Sequence, residues 1–236
     1  MRRIVVVLSL IVALAGVLGI GPARLETAAQ EGTPAAGTET LTEEEIQGII
    51  DAAVAAAEQT PSLVRVDAQG NQQPTRMQIA IVDRNGALLA LHSMADAWPV
   101  SIDIALAKAY TAAGVSSNEN AISSRSLGLL TQPGGAVWNI GHSNDPGTGD
   151  DTVEERGLIE FPGGLPLYKN GMLVGGIGVS GDGVDQDEDV AEAGAVGYEP
   201  PAVIRIDCVL GIEGAYTTSA APCPGAEGQA AATPAA

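Results

Sequence analysis

The spacing of apolar residues along the chain changes period several times. Ile46, Ile49, Ile50, Ala53, Val54 and Ala57 recur at helical spacing. Thr42-Glu43-Glu44-Glu45 precedes them as a capping box, with the Thr hydroxyl on the first turn and Glu45 reaching back. Pro61 stops that helix. Residues 61–76 are polar and read as a loop. Residues 77–82 and 87–92 read as two strands joined by a turn at Asp83-Arg84-Asn85-Gly86. A helix is expected over residues 101–114 with Ser101 as its cap, and another from Ser117 or Asn118 to about Leu130. Residues 131–152 are rich in Gly, Pro, Asn and Asp and read as a long loop. Residues 153–161 offer a further strand, and residues 202–210 one more.

The organising stretch is residues 161–194. A short apolar run, 165–168, meets a Lys169-Asn170-Gly171 turn, where Asn and Gly tolerate positive φ. The return run, 172–179, places Leu173, Gly175, Ile177 and Val179 on one face. Its glycines imply that a helix or a ligand approaches the backbone closely. An acidic first turn then opens a helix at Asp185, where carboxylates favour a helix N-terminus. The sum is about five strands and four helices, an α+β layer architecture in a single domain.

Composition narrows the function classes. Apolar residues make up 45% of the 236, but aromatics only 3%, so the core is built from Ala, Val, Ile and Leu. A net charge of -18 repels nucleic acid and anionic membranes. Arg2 and Arg3 followed by an apolar run over residues 4–20 read as a signal peptide, residues 1–29, so the chain is expected to be exported, or membrane-anchored if the signal is uncleaved. Residues 30–41 are a low-complexity linker. Residues 42–199 form the domain. Residues 200–236 form a tail outside it, disordered at its end, whose removal at Pro200 is expected to leave a folded domain. The tail holds both cysteines, Cys208 and Cys223, and in an exported chain an even pair suggests a disulfide.

Catalytic signals are weak. Gly176-Ile177-Gly178-Val179-Ser180-Gly181 matches GxGxxG, but its glycines lie inside a strand, and Asp182, Asp185 and Asp187 would repel a pyrophosphate. Ser180 lacks the second glycine of a nucleophile elbow. His92 and His142, the only histidines, have no metal-ligand spacing, and the plainer reading of each is a surface or hydrogen-bonded residue. Met94 and Tyr110 carry donors that also bind haem iron. Asp182, Asp185 and Glu188 offer hard oxygens, against the plainer reading of a solvated helix N-terminus. Lys108 lies among apolar neighbours, and a buried Lys needs a partner. Asp96 or a ligand carboxylate can supply one, unless the side chain snorkels to the surface.

Four segments, IAIVDRNGALLALHSM (79–94), SIDIALAKAYTAA (101–113), FPGGLPLYKNGMLVGGIGVSG (161–181) and DQDEDVAEAG (185–194), resemble the GlcG/HbpS family of haem-binding proteins. The resemblance runs roughly from Ile46 to Tyr198. It includes the Gly163-Gly164-Leu165-Pro166 turn and the Ser180-Gly181 step. It departs at Ser93-Met94-Ala95-Asp96, where the family usually has an Arg-Met-Asp-Gly-type run, and in the tail after Tyr198. The resemblance implies a five-stranded antiparallel sheet flanked by helices and a homo-oligomer. It also implies haem or iron sequestration or sensing rather than turnover, with a membrane sensor or redox protein as a possible partner. Haem is expected against a face carrying His92, Met94 and Lys108, with Lys108 toward a propionate and Asp96 orienting His92; Tyr110 and His142 are rival ligands. Two other readings stay open. One is an enzyme or enzyme subunit acting on a small organic acid or cofactor through Lys108 and the 163–166 turn. The other is a structural partner of a membrane complex.

Overall fold

A computed structural model describes residues 39–138, 157–212 and 214–224. All of them lie in one compact unit, Thr38–Ala236. The expected signal peptide, most of the linker, His142 and the end of the tail fall outside the described residues.

Helix α1, Glu43–Ala57, begins at the expected capping box, with the Thr42 hydroxyl accepting from Glu45 N and the Glu45 carboxylate from Thr42 N. Strands β1 (Pro61–Val66) and β2 (Gln72–Pro74) then form a separate antiparallel ribbon. This corrects the loop expected over 61–76. Asp67 closes the ribbon by accepting from Gln69 N and Asn71 N. The strand escaped the pattern because Leu63, Val64 and Val66 all stay exposed, so no apolar alternation marks it.

Strands β3 (Gln78–Asp83), β4 (Leu88–Ser93), β5 (Gly164–Lys169) and β6 (Met172–Ser180) form one antiparallel sheet in the order β4-β3-β6-β5. The sheet has four strands, not the expected five. Pro166 deprives β5 of a donor, and the Tyr198 carbonyl takes Tyr168 N on the same strand, so this edge does not continue into a fifth strand. Both Asn-Gly turns form, with Gly86 at φ 82°, Asn170 at 51° and Gly171 at 76°.

The two sheet faces differ in side-chain size. Ile79, Ile81, Ile177 and Val179 pack against α1 and helix α4 (Val184–Gly194). Ala80 and Val82 pack against helix α2, Ser101–Gly114, through Ala105, Ala109 and Ala113. On that second face a Cβ at Gly178 would lie 2.1 Å from the Ala105 carbonyl oxygen, and one at Gly176 2.5 Å from that of Ala109. The glycines of β6 therefore admit a helix, one of the two occupants the sequence allowed.

One cap and several boundaries differ from the sequence reading. Helix α2 has no side-chain cap, because Ser101 is buried within its first turn. Helix α3 spans only Ser124–Leu130 and is capped by Ser123. Ser117 instead bonds Glu119 N and Asn120 N, a local turn that competes with helix. Residues 202–210 form a 3-10 turn (Ala202–Ile204) and the short helix α5 (Ile206–Leu210), not a strand; Gly211 ends α5 at φ 68°. Residues 157–160 carry no strand.

The tail is part of the fold. Tyr216 is 6% exposed and belongs to the main core. The Ser123 and Ser126 hydroxyls donate to the Tyr216 and Ala215 carbonyls. Ile206 N and the Ile204 carbonyl pair with the backbone of Ala121. Cys208 and Cys223, 15 residues apart, are bridged. Removal at Pro200 would strip these partners, so a chain cut there is expected to lose stability. Reduction of the bridge should lower stability by about 3 kcal/mol for a loop of this length. A chain ending at residue 200 should lose more, since it also loses Tyr216. Chemical denaturation of the oxidised, reduced and shortened proteins checks both, and equal midpoints for all three would contradict it.

Candidate functional site

The sharpest concentration of charge inside the molecule lies where β6 ends and α4 begins. Lys108, on α2, is 0% exposed. Its Nζ donates to Asp187 Oδ2 at 2.6 Å and to the Val179 carbonyl at 2.9 Å, and sits 5.1 Å from the centroid of the Phe161 ring. Asp187, in the first turn of α4, is 2% exposed and also accepts from Asp182 N. Burial pushes the Lys108 ammonium below its ordinary pKa, opposed by the Asp187 carboxylate. Burial likewise pushes the Asp187 carboxyl up, opposed by Lys108.

The glycine turn makes room for this pair. Gly163 holds φ 110°, and a Cβ there would meet Lys108 Nζ and the Val179 carbonyl at 2.8 Å. Gly164 N donates to Ser124 Oγ, and a Cβ at Gly164 would lie 2.6 Å from the Lys108 carbonyl. Ser180 ends β6, and a Cβ at Gly181 would strike the Arg76 carbonyl at 2.3 Å. Pro166 lies within edge strand β5. These motif residues thus seat α2 and α4 against the sheet.

A second pair flanks the first. Arg125 on α3 donates through Nε to Glu188 at 2.9 Å and through Nη2 to Asp185 at 3.0 Å. Its hydrogen bond to Glu188 holds the guanidinium above its ordinary pKa. Glu188, 0% exposed, also accepts from Thr218 N in the tail. Asp182 accepts from the Ser62 hydroxyl and from Leu63 N. The solvated N-terminus expected for Asp182, Asp185 and Glu188 is corrected for Asp182 and Glu188, which have partners within the chain, while Asp185 stays exposed and reaches Arg125 from the surface. Arg125 was missed by sequence reading. The available signal was an isolated Arg in a helix of small residues, in a chain with 11 basic residues against 29 acidic.

The expected haem residues do not meet. His92 and Met94 belong to the α1 side of the sheet: His92 is in register with Ile79, and Met94 joins the main core. Lys108 comes from α2, on the other side, and its partner is Asp187, not Asp96. Full burial denies it to a propionate and rules out a snorkelling path. Asp96 instead bonds Arg65 at 2.8 Å. Met94 Sδ is buried and accepts from Met77 N. Tyr110 is half-buried, its ring against Gly86.

What stays reachable is the end of β4. His92 is half-buried there. Trp98, 43% exposed, follows it, and the Arg65 guanidinium lies 5.8 Å from the indole centroid. Arg65 Nε is buried and has no hydrogen-bond partner among the described residues. An imidazole donor and a flat apolar surface fit the iron and the ring of haem, whereas Arg65 is spent on Asp96 through Nη1 and Nη2.

A four-stranded antiparallel sheet with helices on both faces and a glycine turn over a buried ion pair defines a small α+β domain. Residues 41–196 match the family model described as haem degrading protein HbpS-like, and the chain belongs to that family. An uncharacterized 15.0 kDa protein from the dhaT-dhaS intergenic region of Citrobacter freundii is 32% identical over 127 residues, 54% of this chain and 79% of the relative. Corrinoid adenosyltransferase PduO of the same organism is 33% identical over 114 residues, 48% of this chain; the match spans only 30% of PduO. The crystal structure of a PduOC:heme complex superposes with a TM-score of 0.52 at 26% identity, covering 67% of this chain and 94% of that one.

The buried pair yields a test. Lys108→Ala leaves Asp187 uncompensated and should cost about 3–5 kcal/mol, whereas Lys108→Met with Asp187→Leu should recover most of that loss. Urea denaturation of the two variants checks this. A double variant no more stable than Lys108→Ala would show that the charges do more than balance each other.

Proposed function

We propose that this chain is an exported haem-binding protein that sequesters or senses haem. The observation that carries the reading is the likeness, within the HbpS-like family, to a structure solved with haem. In this reading His92 supplies the axial nitrogen and Trp98 the wall. Bound haem would contribute an iron whose open coordination suits capture of an imidazole. The protein's part is to orient that imidazole and screen one ring face from water.

Haem titration followed at the Soret band tests the reading. The wild-type chain should saturate, and His92→Ala should weaken binding by about tenfold or more, the scale set by losing one ligand interaction of roughly 1.4 kcal/mol. His142→Ala should leave the band and affinity unchanged. If His92→Ala, His142→Ala and the double variant all match wild type, histidine ligation is wrong and Tyr110 becomes the better donor.

The likeness to PduO supports a second reading, a domain serving an enzyme that acts on a corrinoid. Haem and a corrinoid share a flat macrocycle with a polar rim, so titration with cobalamin beside haem separates the two.

Export and self-association belong to the same proposal. The Cys208–Cys223 bridge supports an oxidising compartment. The exposed Leu88, Leu89 and Leu91 on edge strand β4 support pairing with a second copy, and a membrane sensor or redox protein is the further partner proposed. Material recovered from the growth medium should begin between Arg24 and Gln30 by N-terminal sequencing, and light scattering should give a mass above that of one chain. An intact Met1 in a cytoplasmic fraction would overturn the export reading, and a monomer mass the oligomer.

A further inference from the structure

The tail and the domain enclose a cleft of about 630 Å³ on the side of β5 and α4. Its volume falls in the range of small-molecule sites. Leu165, Pro166, Ala193 and Val196 give it an apolar floor, and Ala220 and Ala221 form the wall on the tail side. That wall is fixed by the Cys208–Cys223 bridge and by Arg205, whose Nη2 donates to the Ala221 carbonyl at 2.6 Å. Glu199, Arg205, Tyr216 and the tail wall lie beyond residue 196, outside the span shared with the family.

The charged groups of the cleft are mostly acidic, with the Thr217 and Ser219 hydroxyls beside them and Ser219 donating to Glu192. Asp189, Glu192 and Glu199 line it. The one cation there, Arg205, is neutralised by Asp207 through two hydrogen bonds of 2.9 and 3.1 Å. Asp189 has no hydrogen-bond or ion-pair partner among the described residues. Its carboxyl is pushed above the ordinary range by burial and by the neighbouring Glu192 and Asp185 carboxylates. Tyr216, more than nine-tenths buried, also lines the cleft, and its hydroxyl has no hydrogen-bond partner among the described residues. A phenol oxygen accepts from an ammonium as readily as it donates elsewhere.

We propose that this cleft binds an aliphatic polyamine, with its methylenes on the apolar floor and its ammonium groups on Asp189, Glu192 and the Tyr216 hydroxyl. Charge complementarity carries the choice. An anionic ligand, haem propionates included, meets three carboxylates, and a neutral apolar ligand leaves Asp189 and the Tyr216 hydroxyl unanswered. A linear polyamine matches separated acceptors along an apolar path.

Calorimetric titration of the full chain with spermidine at 0.15 M salt tests the site. Binding should saturate at one equivalent. Asp189→Asn with Glu192→Gln should weaken it by about tenfold or more, the loss expected from one charge-assisted hydrogen bond. Tyr216→Phe, which keeps the buried ring, should weaken it less. Glu43→Gln with Glu44→Gln removes the same charge from the first turn of α1 and should leave affinity unchanged. Thermal melts confirm that each variant folds. Absence of saturable heat, an unaffected cleft variant, or an equal loss in the α1 variant would overturn the proposal, the last by showing attraction to overall charge.

Discussion

The spacing between α2 and the sheet is the constraint on which the rest depends. Gly176 and Gly178 let the backbone of α2 descend onto β6, where any side chain would collide with the Ala105 or Ala109 carbonyl. At that spacing α2 meets the sheet through alanines, Ala105, Ala109 and Ala113. Lys108, carried down with the helix, has no route to water and must find a carboxylate inside. The first turn of α4 supplies Asp187, and Gly163 leaves room for both. A helix held further out would need neither the buried pair nor the glycine turn.

Much of this was legible in the chain. The capping box, both Asn-Gly turns and the glycine-rich strand announce themselves through local chemistry that acts within a few residues. The close approach of a helix was implied by the β6 glycines, though a ligand was an equal candidate. The ribbon at residues 61–74 was not legible, because its apolar side chains remain exposed and leave no periodic trace. The start of α3 was misplaced because Ser117 is a good cap that spends its hydroxyl on a turn instead.

The candidate site was less legible than the fold. That Lys108 needs a partner follows from its neighbours, but choosing Asp187 over Asp96 requires knowing that the first turn of α4, just past the end of β6, reaches the Lys108 ammonium. His92 and Lys108 are close in sequence, yet His92 faces the α1 side of the sheet while Lys108 comes from α2 on the other side. Arg125 and Glu188 are 63 residues apart, and only the fold makes them a pair. The tail was set aside because its composition is simple and it lies past the family pattern. Its ordering depends on single residues, Tyr216 and Arg205, that composition averages away.

The placement of Tyr216 also sets an order of events. Its backbone partner, Ser123, precedes it by 93 residues, and its ring belongs to the same core as Ile49 and Ile177. That core is complete only when residue 216 is in place. Early helices and hairpins form from local contacts, but the final closure waits on a contact of long sequence separation, which is slow because loop entropy must be overcome first. Residues 214–224, far along the chain, thus complete a core begun by α1.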